Sequence, residues 1–162
     1  MSVPKIIGIM ACDPRGVIGL DNRMPWHYSK EVDFFTKTTY GHVIIMGRKT
    51  FQSLPQSVLN NCFSIVFSKT LKYLDSGNVI FVDSLKEFTE LLSRGEEKCY
   101  YLIGGSETAE LLLDANLVDQ FLLTRINKSY DGDIFFPIDL LQDFTPTILL
   151  EDKDFVVYRY SK

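Results

Sequence analysis

Short apolar runs recur along the chain, and polar segments separate them. The runs are rich in β-branched and aromatic side chains, and their lengths are typical of strands. Several are apolar at nearly every position, as expected of parallel strands covered by helices on both faces. The pattern predicts strands at residues 6–12, 43–46, 63–67, 79–82, 100–103, 120–126 and 155–160.

Three of the polar segments show helical spacing of their apolar side chains. The spacing predicts helices over 30–38, over 85–93 and directly after Gly105, and Ser29 and Ser84 are the expected N-caps of the first two. Alternating strands and helices predict an α/β fold, a three-layer sandwich with a mostly parallel central sheet and helices on both faces. The last strand follows its predecessor without a helix. We therefore expect it to be an antiparallel C-terminal edge strand.

Composition narrows the class of protein. The chain has 162 residues, of which 46% are apolar, enough for one domain over residues 1–162. Its 17 lysines and arginines against 21 acidic residues give a net charge of −4, which argues against a nucleic-acid partner. The apolar segment at 6–12 is too short for a membrane span. Its seven residues are at the lower limit for a secretory signal, and Pro4 and Asp13 flank it, so a signal peptide is not expected. Cys12, Cys62 and Cys99 are odd in number and far apart, which favours reduced thiols in a soluble cytoplasmic protein.

The sequence lacks the motifs of several common catalytic and metal sites. His27 and His42 lie at no metal-ligand spacing from a cysteine or from each other, so we expect no metal. The sequence has neither a G-x-S-x-G elbow nor a G-x-x-x-x-G-K-[ST] loop. Serine-based nucleophilic catalysis and P-loop nucleotide hydrolysis are therefore unsupported.

Glycines, cations and hydroxyls follow three of the predicted strands. These segments are Gly47, Arg48, Lys49 and Thr50; Ser68 and Lys69; and Gly104, Gly105 and Ser106. Each alone is also compatible with an ordinary turn or a solvated basic surface. Because parallel strands end at one edge of a sheet, the three together predict a site for a long polyanionic ligand such as a dinucleotide.

Glu31 is the sharpest candidate for a substrate-binding acid. It lies among Tyr28, Val32, Phe34 and Phe35. A carboxyl group in apolar surroundings has a raised pKa, and a carboxylate accepts the two parallel N–H groups of an aminopyrimidine-like ring edge. The position is equally compatible with a surface glutamate in the first turn of a helix.

The segment before this helix, residues 14–26, is rich in Gly, Asp, Asn and Pro and ends at Trp26, the sole tryptophan. Such a segment can close over a ligand. Its composition alone indicates only a loop.

Taken in order, these segments resemble dihydrofolate reductase. The matching stretches are Gly16-Val-Ile-Gly-Leu-Asp-Asn-Arg-Met-Pro-Trp26, Glu31 with Phe34 and Phe35, Ile44-Ile-Met-Gly-Arg-Lys-Thr-Phe51, Tyr101-Leu-Ile-Gly-Gly105, and Thr124 with Asp131-Gly-Asp-Ile-Phe-Phe-Pro137. They span most of the chain, and their joint pattern is specific. The resemblance implies a bacterial-type, single-domain enzyme that transfers a hydride from NADPH to dihydrofolate and releases tetrahydrofolate.

The resemblance assigns roles to four side chains. Glu31 would bind the 2-amino group and the adjacent ring nitrogen of the pterin and promote protonation of N5 through water. Thr124 would hydrogen-bond the same carboxylate. Trp26 would hold an ordered water, and Met24 would cover the nicotinamide. Diaminopyrimidine antifolates would pair with Glu31, and a monomer is expected.

The resemblance also implies two sets of contact residues. Those around the pterin and the aminobenzoyl ring are Ile9, Met10, Glu31, Val32, Phe35, Leu54, Leu59 and Thr124. Those along NADPH are Ala11, Ile18, Gly19, Leu20, Asp21, Gly47, Arg48, Lys49, Thr50, Ser68, Lys69, Ile103, Gly104, Gly105, Ser106, Glu107 and Thr108. Arg48 and Lys69 would counter the 2′-phosphate, and the Gly104–Gly105 bond would be cis.

Three positions depart from the family pattern. Cys62 stands where the family has an arginine that binds the glutamate tail of folate, so tail recognition should be weaker unless Lys37 or Arg23 substitutes. Glu107 replaces a basic residue, and Ala109 replaces an aromatic one. Two alternatives stay open: a reductase of another dihydropterin or heterocycle on the same fold, and a catalytically silent NADPH-binding protein.

Overall fold

The computed structural model describes residues 4–19, 24–70, 77–95 and 98–162. The first half of the chain contains β1 (Lys5–Cys12), β2 (Val17–Gly19), α1 (Ser29–Thr39), β3 (Val43–Gly47), α2 (Arg48–Ser53), α3 (Gln56–Leu59), β4 (Phe63–Phe67) and β5 (Val79–Val82). The second half contains α4 (Leu85–Ser93), β6 (Cys99–Gly104), α5 (Ser106–Asp114), β7 (Gln120–Ile126), β8 (Ile134–Phe135), a 3₁₀ turn (Ile138–Leu141), β9 (Thr145–Glu151) and β10 (Phe155–Ser161). In the described ranges, every helix is too short or too polar to cross a bilayer.

Eight strands form one sheet in the order β5-β4-β3-β6-β1-β7-β10-β9. Neighbouring strands from β5 to β7 are parallel. Strand β10 is antiparallel to both β7 and β9. The mostly parallel sheet with an antiparallel C-terminal edge is thus confirmed.

The strand at that edge is not the predicted one. Strand β9 lies outside β10, so the expectation that the strand at 155–160 occupies the edge is wrong. All seven residues of β9 are exposed, and only Ile148, Leu149 and Leu150 among them are large and apolar, so the strand contains no apolar run as long as those that marked the inner strands. It extends as a strand because β10 supplies its hydrogen-bonding partner.

Apolar side chains cover both faces of the sheet, which confirms the three layers. On one face, Phe88 of α4 and Leu112 of α5 pack in a fully buried cluster with Phe121 of β7. On the other face, Phe35 of α1 and Leu59 of α3 pack with inner strand residues. Because side chains alternate along a strand, each of the six parallel strands supplies both cores.

Helix starts follow the predictions in two of three cases. Ser84 accepts a hydrogen bond from the Glu87 N–H at 3.2 Å, so it caps α4 as expected. Helix α5 begins at Ser106, directly after the glycine pair. Ser29 is not an N-cap: α1 begins at Ser29 itself, and the extended residue before it, Tyr28, offers no side-chain cap.

A buried carboxylate organises the chain after β1. Asp13 is fully buried and accepts hydrogen bonds from the N–H groups of Arg15 and Val17, both at 2.8 Å, and of Tyr130 at 2.9 Å. Burial alone would raise the pKa of the Asp13 carboxyl, but these backbone donors lower it below its usual value. The charged carboxylate therefore joins the turn before β2 to the segment before β8, with which β2 pairs.

Candidate active site

Three neighbouring strands end side by side at one edge of the sheet. Strands β4, β3 and β6 are adjacent, with Gly47 opposite Phe67 and Met46 opposite Gly104 at their carboxyl ends. The segments that begin at Gly47, Ser68 and Gly104 therefore meet at one edge, as the sequence predicts.

Helix α5 starts at this edge with its first turn uncapped. Gly105 offers no side-chain cap, and the first bond into the helix runs from the Ala109 N–H to the Gly105 carbonyl at 3.0 Å. The N–H groups of the first turn can therefore bind an anion. The Gly104–Gly105 peptide bond is cis, as the resemblance implies. A Cβ on Gly47 would lie 2.8 Å from the Thr108 hydroxyl, so β3 and α5 approach each other closely here.

Cations surround the same edge. Arg48, Lys49 and Lys69 are all exposed. The Arg48 guanidinium donates to the Thr70 hydroxyl at 3.4 Å, which brings it beside the segment that carries Lys69. An exposed cluster of positive charge next to an uncapped helix start favours a phosphate-bearing ligand.

Two side chains at this edge are poorly suited to bind a phosphate themselves. The Ser106 hydroxyl donates to the Phe135 carbonyl at 2.8 Å, so its backbone N–H is the group that remains for a ligand. Glu107 is exposed in the first turn of α5 and places a negative charge there. The predicted contacts of Ser106 and Glu107 with a phosphate are thus limited to the backbone.

Glu31 is buried, which resolves the two interpretations left open by the sequence. It is 7% exposed, and burial raises the pKa of its carboxyl, while Trp26 and then His27 act in the opposite direction. Trp26 is also buried, and its indole N–H completes no hydrogen bond with any described group. A buried carboxyl beside an unpartnered N–H can accept a polar ligand edge or a bridging water.

An apolar wall lies on the face of the sheet that α1, the helix of Glu31, covers. Ile9, Phe35, Leu54 and Leu59 belong to one cluster on the α1 face of the sheet. These four predicted pocket residues thus lie on a single face of the sheet. Val32 of α1 is 37% exposed, and its contact with a ligand stays a prediction.

Met10 does not belong to this wall. Strand alternation turns its side chain to the α5 face, where it joins the other core, and its Sδ-methyl lies near Gly104. A contact of the Met10 side chain with a ligand on the α1 face is therefore not favoured, and the contact of Met10 with the substrate stays a prediction. Ala11 packs with Trp26, and Thr124 of β7 is the buried residue opposite Ala11.

The segment expected to cover the nicotinamide is partly described. Ile18 and Gly19 lie in β2, whereas Leu20, Asp21 and Arg23 lie outside the described residues. Met24 is 54% exposed. Ile103 is buried at the end of β6, in the core on the α1 face. Their contacts with a ligand remain predictions.

Cys62 does not reach the pocket. It is 7% exposed, its thiol donates to the Thr39 carbonyl at 3.4 Å, and burial raises the pKa of that thiol. Lys37 lines a recess between α1 and β9 that includes Leu150. Because Lys37 is two residues beyond Phe35, it lies on the opposite side of α1 and cannot replace the missing arginine.

Two residues that hold the site together are missed by reasoning from the sequence. Asp13 and Tyr130 are 117 positions apart, and their hydrogen bond joins the loops on either side of Trp26. The only local signal was the turn composition around Asp13, Pro14 and Gly16. Within the described ranges, His, Cys, Asp and Glu side chains form no group of three that could hold a metal ion.

Comparison with known proteins identifies the family. A family model described as dihydrofolate reductase matches residues 5–149. The chain is 36% identical over 129 residues to the dihydrofolate reductase of Bacillus subtilis, covering 80% of this chain and 73% of that protein. It is 32% identical over 160 residues to the dihydrofolate reductase of Mycoplasma genitalium, covering 97% and 98%. The enzyme of the same name from Ureaplasma parvum is 32% identical over 124 residues, covering 76% of each chain. The match over most of the length, together with the buried acid and the anion-binding sheet edge, shows that this chain belongs to the dihydrofolate reductase family.

Proposed function

We propose that this protein reduces 7,8-dihydrofolate to tetrahydrofolate with NADPH, and that Glu31 is the acid that binds the pterin. The carrying observation is the buried Glu31 carboxyl beside Trp26, whose indole N–H completes no hydrogen bond in the described part of the chain. A pterin edge presents two neighbouring N–H groups, which a carboxylate accepts as a pair. The apolar wall on the α1 face of the sheet suits the flat rings of the substrate.

Glu31 and Trp26 would share the handling of the proton. Burial raises the pKa of the Glu31 carboxyl and thereby favours its protonated form nearer to neutral pH. The free Trp26 N–H can hold a water that relays a proton toward N5 of the pterin. Thr124, opposite Ala11 on β7, would orient the carboxylate as a hydrogen-bond partner.

The residues at the sheet edge fit NADPH. The uncapped first turn of α5 would bind the pyrophosphate through its N–H groups. Arg48, Lys49 and Lys69 would counter the remaining phosphate charge, including a 2′-phosphate. The close approach of Gly47 to Thr108 would bring the end of β3 and the first turn of α5 to the same ligand. When bound, the dinucleotide supplies the hydride.

A paired-mutant assay tests the role of Glu31. Absorbance of NADPH would be followed with dihydrofolate for wild type, Glu31→Gln and the exposed control Glu110→Gln. We expect Glu31→Gln to lose about 100-fold or more of kcat/KM at neutral pH while NADPH binding is preserved. Glu110→Gln should behave as wild type. Absence of turnover in the wild type would instead support a silent NADPH-binding protein.

The glutamate tail should contribute little to recognition. Cys62 is buried, and Lys37 faces away from the pocket. A charge-assisted contact of the kind that is missing here is worth about 1.5–3 kcal/mol. We therefore expect similar kcat/KM values for dihydrofolate and a tail-less dihydropterin. A preference above about 100-fold for dihydrofolate, roughly 2.7 kcal/mol, would contradict this part of the proposal.

The free cysteines and the Glu31 carboxyl also support proposals on localisation and inhibitors. All three cysteines are free, which suits the cytoplasm. Diaminopyrimidine antifolates offer the N–H pair that Glu31 accepts and are the expected inhibitors. We propose that the chain works as one monomeric domain.

A further inference from the structure

Two tyrosine hydroxyls meet beside Trp26. The Tyr28 and Tyr130 hydroxyl oxygens are 2.5 Å apart and share a hydrogen bond. Tyr28 precedes the first residue of α1, whereas Tyr130 lies between β7 and β8. The pair, called here the tyrosine latch, joins two segments that are 102 positions apart in the sequence.

Tyr130 is held by contacts of its backbone and of its ring. Its N–H donates to the Asp13 carboxylate at 2.9 Å, and its carbonyl accepts a hydrogen bond from the Arg15 guanidinium. Its ring packs against the Trp26 ring, with centroids 5.6 Å apart and planes inclined by 55°. The latch thus completes a frame that runs from the turn after β1, through Tyr130, to the residue before α1.

Trp26 depends on that frame for its orientation. Its indole N–H completes no hydrogen bond with a described group, although Trp26 lies close enough to Glu31 to lower the pKa of that carboxyl. Packing therefore supplies most of what orients the ring, and the side chains packed around it include Ala11, Tyr28 and Tyr130. A ring that is oriented mainly by packing turns more freely when one neighbour gains freedom.

We propose that the tyrosine latch is a positioning element that holds the Trp26 indole against Glu31 and keeps bulk water out of that corner of the pocket. This inference rests on the proposed function, because it assigns the latch a role in the reaction that Glu31 and Trp26 support. Tyr28 and Tyr130 are positioning residues: neither is needed to touch the substrate.

The Tyr28 hydroxyl is uncharged at physiological pH. The hydrogen bond with Tyr130, followed by burial, raises the pKa of Tyr28 to about 12. Tyr28 therefore stays protonated throughout the pH range in which the enzyme would be assayed.

The single tryptophan makes the test direct, since all indole fluorescence comes from Trp26. Acrylamide quenching of the free enzyme would be compared for wild type, Tyr28→Phe, Tyr130→Phe and the double variant. Tyr158→Phe, which removes a half-buried hydroxyl from β10, is the matched control. We expect stronger quenching and red-shifted emission in the three latch variants and no change in the control.

Turnover supplies the second readout. Loss of one hydrogen bond at this position should lower kcat for dihydrofolate about fivefold and leave KM for NADPH unchanged. Since either single substitution breaks the same bond, the double variant should be no worse than the singles. Each variant keeps both rings, and native circular dichroism would establish that it is folded.

Three outcomes would overturn the latch. Unchanged quenching in the single variants would show that Trp26 is held without it. Multiplying losses of kcat in the double variant would show that the two hydroxyls act independently. An equal loss of kcat in Tyr158→Phe would reduce the effect to general stability. Failure of the proposed function is separate: the wild type would not turn over dihydrofolate, yet quenching would still measure the latch.

Discussion

Replacing Asp13 with asparagine isolates the contribution of the buried carboxylate that joins the two loops beside Trp26. The wild-type side chain accepts from Arg15 and Val17 through Oδ1 and from Tyr130 through Oδ2. Asparagine matches the shape but carries one acceptor oxygen. The amide oxygen can keep the Arg15 and Val17 bonds only if its NH₂ group faces the Tyr130 N–H, donor against donor.

The expected loss follows from that count. One hydrogen bond to a charged group is worth about 1.5–3 kcal/mol, and an unpaired donor adds a similar penalty when it is buried. The Tyr130 N–H is only partly buried, so we expect Asp13→Asn to lose about 2–3 kcal/mol of unfolding free energy at pH 7.

The difference in unfolding free energy between wild type and Asp13→Asn should change with pH in one direction only. The pKa of Asp13 is lowered in the folded protein, so its contribution is fully present above the unfolded pKa, near 3.8, and is lost as the pH falls through the folded value. The gap between wild type and Asp13→Asn should therefore be constant from neutral pH down to mildly acidic pH and narrow below about 3.8.

Urea unfolding followed by Trp26 fluorescence measures the gap at a series of pH values. The exposed Asp143→Asn is the matched control, and it should stay within about 0.5 kcal/mol of wild type. Equal stabilities of wild type and Asp13→Asn at pH 7 would refute the reasoning. So would a gap that is insensitive to acid.

Three further substitutions test the two cores and the sheet edge. Burial raises the pKa of the Glu31 carboxyl, so this group favours the folded state below the unfolded pKa of about 4.5 and opposes it as the pH rises. Glu31→Gln should therefore resist urea better than wild type at pH 8 and lose that advantage near pH 4. Ser64→Ala removes a buried hydroxyl for which the described residues offer no partner, and calorimetry should find the variant unchanged or more stable by up to about 1 kcal/mol. A clear loss of stability would mean that the hydroxyl is satisfied. Gly47→Ala places a Cβ 2.8 Å from the Thr108 hydroxyl and should raise the NADPH dissociation constant without affecting the KM for dihydrofolate, whereas Gly77→Ala, in open space, should do neither.

Elements with a strong local pattern were predictable from the sequence. The inner strands are apolar because both of their faces are covered, and this pattern is visible without the structure. Strand β9 was not predictable because all of its residues are exposed and β10 alone makes it a strand. The N-cap at Ser29 failed because a serine before an apolar segment shows only that a cap is possible, and the chain enters α1 one residue earlier.

The candidate site shows the same division. The segments after β3, β4 and β6 were predicted to meet, since parallel strands end together. The burial of Glu31 was left open, because a first-turn glutamate is also stable in solvent. Contacts such as those of Tyr130 with Asp13 and Tyr28 join distant loops, and no local spacing in the sequence reports them.

The placement of positive charge leads to a last prediction. The chain has a net charge of −4, and in its described part exposed cations flank the cofactor edge at Arg48 and Lys69, while Cys62 and Lys37 leave the substrate side without one. Exposed ion pairs are worth about 0.2–1 kcal/mol each, and salt screens them. Raising the salt from low ionic strength to about 0.5 M should therefore increase the KM for NADPH about two- to fivefold and leave the KM for dihydrofolate nearly constant. Arg48→Ala should remove much of the salt response of the NADPH KM, because its guanidinium lies beside the segment that carries Lys69. A dihydrofolate KM that rose more steeply with salt than the NADPH KM would mean that a cation does bind the glutamate tail.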